Sequence, residues 1–378
     1  MQATTIGIIG CGVISNSYLT GAARSKILTV KGVADLRREA AEARAAEHNC
    51  QAMTVEELLA DPEIEIVINL TIPGAHAEID GKIIESGKHV YSEKPLVASL
   101  GDAKPVLDAA EAKGLRVGCA PDTFLGASHQ ACRRAIDDGL IGRVIGGSVC
   151  VATRGMEHWH PDPRFFYKLG GGPHLDIGPY YITQLVNLLG PVASVSAMAT
   201  KGFETRTITS DALNGTQFEV EVPTTINGSL LFRSGANLAI TTSWDVMSTR
   251  RPGIEIYGTE GSLQNPDPNF FGGVPEVAVH GEPWKALATE EFAFGTNNRT
   301  TRAGREVADY RIIGLIDMAA AIREKREHRA NGKLALHVLE VLDALEESSR
   351  TGMHVKIGRL CEQPLPVSKG QDESVFLG

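Results

Sequence analysis

The chain has 378 residues, 43% of them apolar and 22% charged, and a formal charge of −9. That length suits two domains rather than one core, and the composition is that of a folded globular protein. The acidic balance, with no dominant basic patch, argues against nucleic acid and anionic membrane as partners, and no apolar run is long enough to span a bilayer.

The first third alternates short apolar runs with Ala-, Glu- and Leu-rich stretches. Strands are expected at 6–9, 30–34, 64–70, 89–92 and 116–119, with helices at 39–48, 55–59, 77–85 and 103–113. Apolar strands alternating with helices predict a parallel, doubly wound sheet. The pattern changes after Pro121: a helix is expected at 128–138, then strands at 144–153, 192–201, 215–222, 225–233, 236–245 and 252–258, with one helix near 177–189. Residues 264–300 read as loops and edge strands. Helices are expected at 309–328 and 334–349, and the tail after Gly358 is expected to pack loosely.

Cys11, Cys50, Cys119, Cys132, Cys150 and Cys361 are scattered, without a CxxC pair or metal-ligand spacing. Reduced thiols, a cytoplasmic setting and no metal are therefore expected. Residues 6–14 are apolar, but no positively charged segment precedes them and no cleavage site follows, so no signal peptide is expected.

Residues 5–15 read Thr-Ile-Gly-Ile-Ile-Gly-Cys-Gly-Val-Ile-Ser, a strand breaking into a glycine turn. Gly10 allows the tight turn, Gly12 admits a pyrophosphate, and Val13 and Ile14 open the helix whose N-terminus faces it. Ser15 stands where the fingerprint has its third glycine. The second strand ends in Ala34-Asp35-Leu36-Arg37. A carboxylate there binds the adenosine ribose and favours NAD, although Arg37 and Arg38 offer a 2′-phosphate site (NADP) and Asp35 also fits a helix N-cap. Thr71-Ile72-Pro73 opens a loop at the carboxyl edge of the sheet. Its His76 either packs near the nicotinamide ribose or caps the next helix.

Two further segments carry chemistry. Glu93-Lys94-Pro95 follows a strand, where the Lys94 ammonium could stabilise an alkoxide. Gly170-Gly171-Gly172 precedes Asp176 and Tyr180, which are four apart and share a face if a helix begins near Asp176. A packed aromatic and a simple N-cap are equally open readings of that pair. Arg154, His158, Trp159, His160, Arg164 and Tyr167 crowd the preceding segment and suit a hydroxylated, ring-shaped substrate, or a packed loop. Arg302, Tyr310 and Arg311 are further candidates for the pocket.

In this order and spacing, the glycine turn, Asp35, Glu93-Lys94-Pro95 and the glycine-rich segment with Asp176 resemble the Gfo/Idh/MocA oxidoreductases, over most of the chain. The resemblance implies an α/β N-terminal Rossmann dinucleotide-binding domain at 1–122. An α+β C-terminal domain with an open, mainly antiparallel sheet follows at 123–378 and serves substrate binding and oligomerisation. It implies catalytic roles for Lys94 and Asp176, and Tyr180 in the place of the general-base histidine of many members. The implied activity is NAD-dependent oxidation of a sugar or polyol, an aldose first, by a homodimer or homotetramer. An NAD-dependent glycosidase and a non-catalytic cofactor-binding regulator are the other classes in the family.

Overall fold

A computed structural model describes residues 3–210, 213–251, 253–301, 304–370 and 373. The chain divides into two compact units. One comprises Met1–Gly126, Glu291–Leu336 and Val367–Gly378; the other comprises Ala127–Glu290 and His337–Pro366. The first break falls close to the expected one, but residues well beyond 122 return to the first unit.

The first unit is built on a six-stranded sheet in the order β3-β2-β1-β4-β5-β6. Its strands are β1 (Thr4–Ile9), β2 (Leu28–Ala34), β3 (Gln51–Met53), β4 (Ile66–Asn69), β5 (His89–Ser92) and β6 (Val117–Cys119). All adjacent pairs are parallel. The helices between them are α1 (Ser15–Ala23), α2 (Arg38–His48), α3 (Val55–Ala60), α4 (His76–Glu85) and α5 (Leu100–Ala112). Ile6, Ile8, Val33, Ile66, Val67, Ile68 and Val90 are essentially inaccessible to solvent, because a parallel sheet is covered on both faces. β3, a run of three residues too short to show a strand period, was not expected. The strand order reverses between β1 and β4, which opens the crevice at the carboxyl ends of these strands where ligands of doubly wound sheets bind.

In the second unit the helix expected at 128–138 is α6 (Ala127–Asp137). A nine-stranded sheet follows from β7 (Val144–Ala152), β8 (Val192–Thr200), β11 (Thr225–Phe232), β12 (Asn237–Ser243), β13 (Ile254–Gly258), β14 (Gly261–Asn265), β15 (Glu276–Val279), β16 (Lys285–Ala286) and β19 (Val355–Lys356). Only the β7–β12 pair is parallel, so the sheet is mixed but mainly antiparallel. The strand expected at 215–222 is shorter, β10 (Gln217–Glu219), and pairs with β9 (Thr205–Thr207) in a separate ribbon. Helix α7 (Pro173–Asp176) is a single turn, and α8 (Gly178–Leu189) is the long buried helix of this unit.

Residues 291–336 complete the first unit through the β17 (Arg299–Thr300) and β18 (Glu306–Val307) hairpin and α9 (Ile313–Glu324). The helix expected at 309–328 is thus shorter, ended by Lys325 in the left-handed region at φ 56°. Cys119 N–H donates to Ala330 O, which fastens this segment to β6. α10 (Gly332–Thr351) closes the helical inventory. The tail is not loose up to residue 370: Cys361 and Val367 are buried, and Pro364 O accepts from the buried Arg133 guanidinium.

Candidate active site

The glycine turn is shaped by what surrounds it. Gly10 sits at φ +102°, and a Cβ there would lie 2.6 Å from the carbonyl carbon and oxygen of Leu70. Only glycine fits both restraints. A Cβ on Gly12 would meet nothing within 4 Å, so that position opens onto free space beside the first turn of α1. Ser15 is buried and donates its hydroxyl to Gly12 O at 2.6 Å, which lets a small polar residue stand at the third glycine position. The first turn of α1 holds no acidic residue, so its positive end is available to an anion.

Asp35 is tied to this turn. Its Oδ2 accepts from Cys11 N–H and its Oδ1 from Arg37 N–H, both at 2.8 Å. It is not the N-cap of α2; Arg37 occupies that position. A carboxylate with two such bonds keeps acceptor capacity for ribose hydroxyls. Arg38 is engaged with Glu42 and with Ala52 O, away from that carboxylate. Val13, Leu36 and Ile72, on three successive loops at this edge, are 90%, 101% and 74% exposed. Open space at Gly12, an acceptor at Asp35 and an exposed apolar rim fit a dinucleotide.

The corner that carries Lys94 is held at its main chain. Glu93 N–H donates to Asn69 O at 2.9 Å, and Lys94 N–H donates to Glu93 Oε2 at 2.9 Å. The other carboxylate oxygen accepts from Tyr18 OH at 2.9 Å. Burial, then the neighbouring Glu93 charge, holds the Tyr18 phenol well above its usual range. His76 neither caps α4 nor faces outward. Its ring is fully buried, with Nδ1 2.7 Å from Pro95 O and Nε2 3.0 Å from Thr71 O, so it struts the β4 and β5 loops against each other. That differs from the ligand-facing role expected from its place in the loop.

Behind the strut lies a network that the sequence did not announce. Asn69 Nδ2 donates to Asp80 Oδ1 at 2.8 Å, and its Oδ1 accepts from both N–H and O–H of Thr71. Ser92 OH donates to Asp80 at 2.6 Å. Burial pushes the Asp80 carboxyl up to about 6, against the Ser92 and Asn69 bonds. An amide at the end of β4 and a hydroxyl at the end of β5 were the available signals.

In the second unit, Asp176 ends α7 instead of opening a longer helix. Ile177 intervenes, and Gly178 begins α8 with Pro179 in its first turn. Tyr180 lies in that first turn as expected and is buried, whereas Asp176 is half-buried. Beside Asp176, buried His174 places Nε2 2.9 Å from Glu346 Oε1, and this neighbour lowers the Glu346 carboxyl.

The segment before the glycines separates into two sets. Trp159, Arg154 and Arg164 are exposed and His160 is half-buried, but the Arg164 fork is taken by Asp162 at 2.7 and 2.5 Å. Tyr167 is fully buried and packs with Met156, Val220 and Trp244, so it is core rather than a ligand group. Tyr310 and Arg311 line a cavity of about 170 Å³ with Asn16, Ser17, Thr20 and Arg24, along α1. Arg302 lies outside the described residues. Among the described residues no group of three or more His, Cys, Asp or Glu side chains is placed to hold a metal ion, and no helix is long and apolar enough to cross a membrane.

Residues 4–120 match the family model described as "Oxidoreductase family, NAD-binding Rossmann fold", and residues 129–264 match the "GFO/IDH/MocA C-terminal domain". The chain belongs to the GFO/IDH/MocA oxidoreductases. Its relatives within that family include 1,5-anhydro-D-fructose reductase of Ensifer adhaerens. The two are 30% identical over 263 residues, 68% of this chain and 74% of that one. D-xylose 1-dehydrogenase (NADP(+)) 2 of Haloferax volcanii is 26% identical over 80% of this chain and 83% of its own. In structure, levoglucosan dehydrogenase in complex with NADH and levoglucosan superposes with a TM-score of 0.79 at 21% identity, covering 94% of this chain and 100% of that one. This GFO/IDH/MocA protein is therefore an NAD-binding oxidoreductase.

Proposed function

We propose that this oxidoreductase dehydrogenates a sugar or polyol, with an aldose as the leading substrate, giving a lactone at an anomeric carbon and a keto-sugar elsewhere. Bound NAD supplies the two-electron acceptor for the hydrogen leaving the carbinol carbon. Tyr180 takes the hydroxyl proton, Lys94 stabilises the developing alkoxide, and Asp176 orients or relays. Tyr180 in place of a histidine marks the branch of the family to which we assign the chain.

The observation that carries this reading is the pinned Glu93-Lys94-Pro95 corner, two strands from the glycine turn, in a sheet whose carboxyl edge fits a dinucleotide. The sugar-directed names of the relatives support the substrate class. Asp35 favours NAD over NADP. All six cysteines are free thiols, which suits a cytoplasmic enzyme. Exposed Met198 and Leu231 on the nine-stranded sheet suit a homodimer or homotetramer, which light scattering would test.

The test is a panel of aldoses and polyols, including D-glucose, D-xylose and levoglucosan, assayed with NAD+ and NADP+ for the wild type and Lys94→Ala. Turnover of a sugar that falls by about three orders of magnitude or more in Lys94→Ala, with NAD+ affinity retained, is expected. Undiminished turnover in that variant ends the mechanism. Glycoside cleavage without net NADH replaces dehydrogenation by the glycosidase reading, and cofactor binding with no turnover replaces it by a regulator.

A further inference from the structure

The segment between β7 and Pro173 presents an aromatic ledge. Trp159 and Phe165 are 48% and 58% exposed. The His160 ring lies edge-on to both, at 5.4 Å between centroids, and to Phe166 at 5.2 Å. Such a face packs against the C–H surface of a sugar ring while the flanking polar groups meet its hydroxyls.

Beneath the ledge the loop is tied to Arg206 on β9, whose side chain is only 4% exposed. Its Nη1 donates to Glu157 Oε1 at 2.5 Å and to Arg154 O at 3.3 Å. Its Nη2 donates to Trp244 O at 2.9 Å and to Asp245 Oδ1. Tyr167 OH donates to Glu157 Oε2 at 2.5 Å and accepts from Met156 N–H at 3.1 Å. The other Asp245 oxygen accepts from the Thr224 and Thr225 hydroxyls. Bonds to main-chain carbonyls complete the tie. Glu157 O accepts from Thr209 and Ser210 N–H, and Ser210 OH donates to His160 O at 2.7 Å. Gly155, at φ +96°, crosses directly over the cluster; a Cβ there would run into Glu157, Tyr167 and Arg206 side chains.

Burying a guanidinium and two carboxylates is a poor way to gain stability, since apolar groups of equal volume do as well or better. What the planar fork does provide is direction: it holds two carboxylates and two carbonyls at set angles. We propose that Arg206 is a positioning residue for sugar recognition, a buried clasp that sets the attitude of the Trp159–Phe165 ledge. It acts through Glu157 and Tyr167. The sugar part of this inference rests on the proposed function; the clasp itself does not.

Arg206→Met removes the clasp, Arg206→Lys keeps the charge without the fork, and Tyr167→Phe removes one hydroxyl from the same network. The probe is whichever of D-glucose, D-xylose and levoglucosan the wild type oxidises fastest. In Arg206→Met its KM should rise about 10- to 100-fold, as a misplaced binding surface predicts, while kcat and the NAD+ KM stay within about twofold. Tyr167→Phe should move the same way by a smaller factor, and Arg206→Lys should not restore the wild-type KM. Limited trypsin digestion reads the loop without substrate: cleavage after Arg154, Arg164 or Lys168 should quicken several-fold. If Arg206→Met does not fold, Tyr167→Phe and Glu157→Gln carry both measurements. An unchanged sugar KM with an unchanged digestion rate overturns the inference, as does a parallel fall in kcat and NAD+ affinity. If the wild type oxidises no sugar, the proposed function fails, and the digestion rates alone decide whether Arg206 clasps the loop.

Discussion

The Lys94 corner and the 153–172 loop are held in different ways. In the first unit the corner hangs on strand ends: Glu93 N–H to Asn69 O, Lys94 N–H to its neighbour's carboxylate, and His76 between Thr71 O and Pro95 O. Most of these pins use main-chain atoms that the parallel sheet has already placed. In the second unit the loop leaves β7 with little regular structure, and side chains far apart in sequence hold it by charge. A site built on strand ends inherits its geometry from the sheet; a site built on a loop needs its own supports.

That contrast can be broken, most severely at Gly10. Gly10→Ala forces a side chain against Leu70 main chain at positive φ, where neither partner can yield. NAD+ binding should fall by about 100-fold or more, and stability by about 2 kcal/mol or more, measured by calorimetry and thermal unfolding. Retained NAD+ affinity would show that the sheet does not dictate the turn.

Asp122, like Asp80, is a buried carboxylate on which the first unit relies. Its Oδ2 accepts from Ile312 and Gly314 N–H at 3.1 and 2.8 Å, and burial pushes its carboxyl up to about 6. Because the folded state holds this proton more tightly than the unfolded one, the associated stabilisation is complete below about pH 4. It is lost as pH rises to about 6, a fall of about 2–3 kcal/mol at most. Thermal unfolding from pH 4 to 6.5 should show this slope reduced in Asp122→Asn, with Asp80 supplying part of what remains. Asp122→Ala should cost about 2 kcal/mol by orphaning both donors. An identical pH profile in wild type and Asp122→Asn would exclude the group.

A smaller effect is expected at the cofactor edge. Asp35→Ser removes the carboxylate that favours NAD and leaves Arg37 exposed, so the NAD+/NADP+ ratio of kcat/KM should fall about tenfold or more. The smallest belongs to Arg164. Paired with Asp162 at an exposed position, it should contribute little to stability, and Arg164→Ala should change sugar KM less than about threefold. A large rise there would mean that Arg164 leaves Asp162 for the substrate.

What was legible in advance follows the same division. The glycine turn, Asp35 and the Glu93-Lys94-Pro95 corner are short motifs at strand ends, where neighbours in sequence are neighbours in space. The strut role of His76 was not legible, because the ring's partners are carbonyls from two other loops. Arg206, Glu157 and Asp245 went unnoticed because nothing local distinguishes a buried charged residue from a solvated one. Tyr167, named with the exposed residues around it, turned inward for the same reason. Asp176 and Tyr180 were placed on one helix by their spacing, but the chain breaks at Ile177.

Local patterning by itself determined the alternating strands and helices of the first unit, the mainly antiparallel second sheet and the dinucleotide turn, since each depends on periodicity or on a glycine that sterics require. Tertiary structure alone decided which charges are buried together, which residues beyond 122 return to the first unit, and which aromatic side chains of the 154–167 segment face solvent. Those outcomes depend on contacts between residues tens to hundreds of positions apart, whose energies are set by burial and geometry that no stretch of sequence contains.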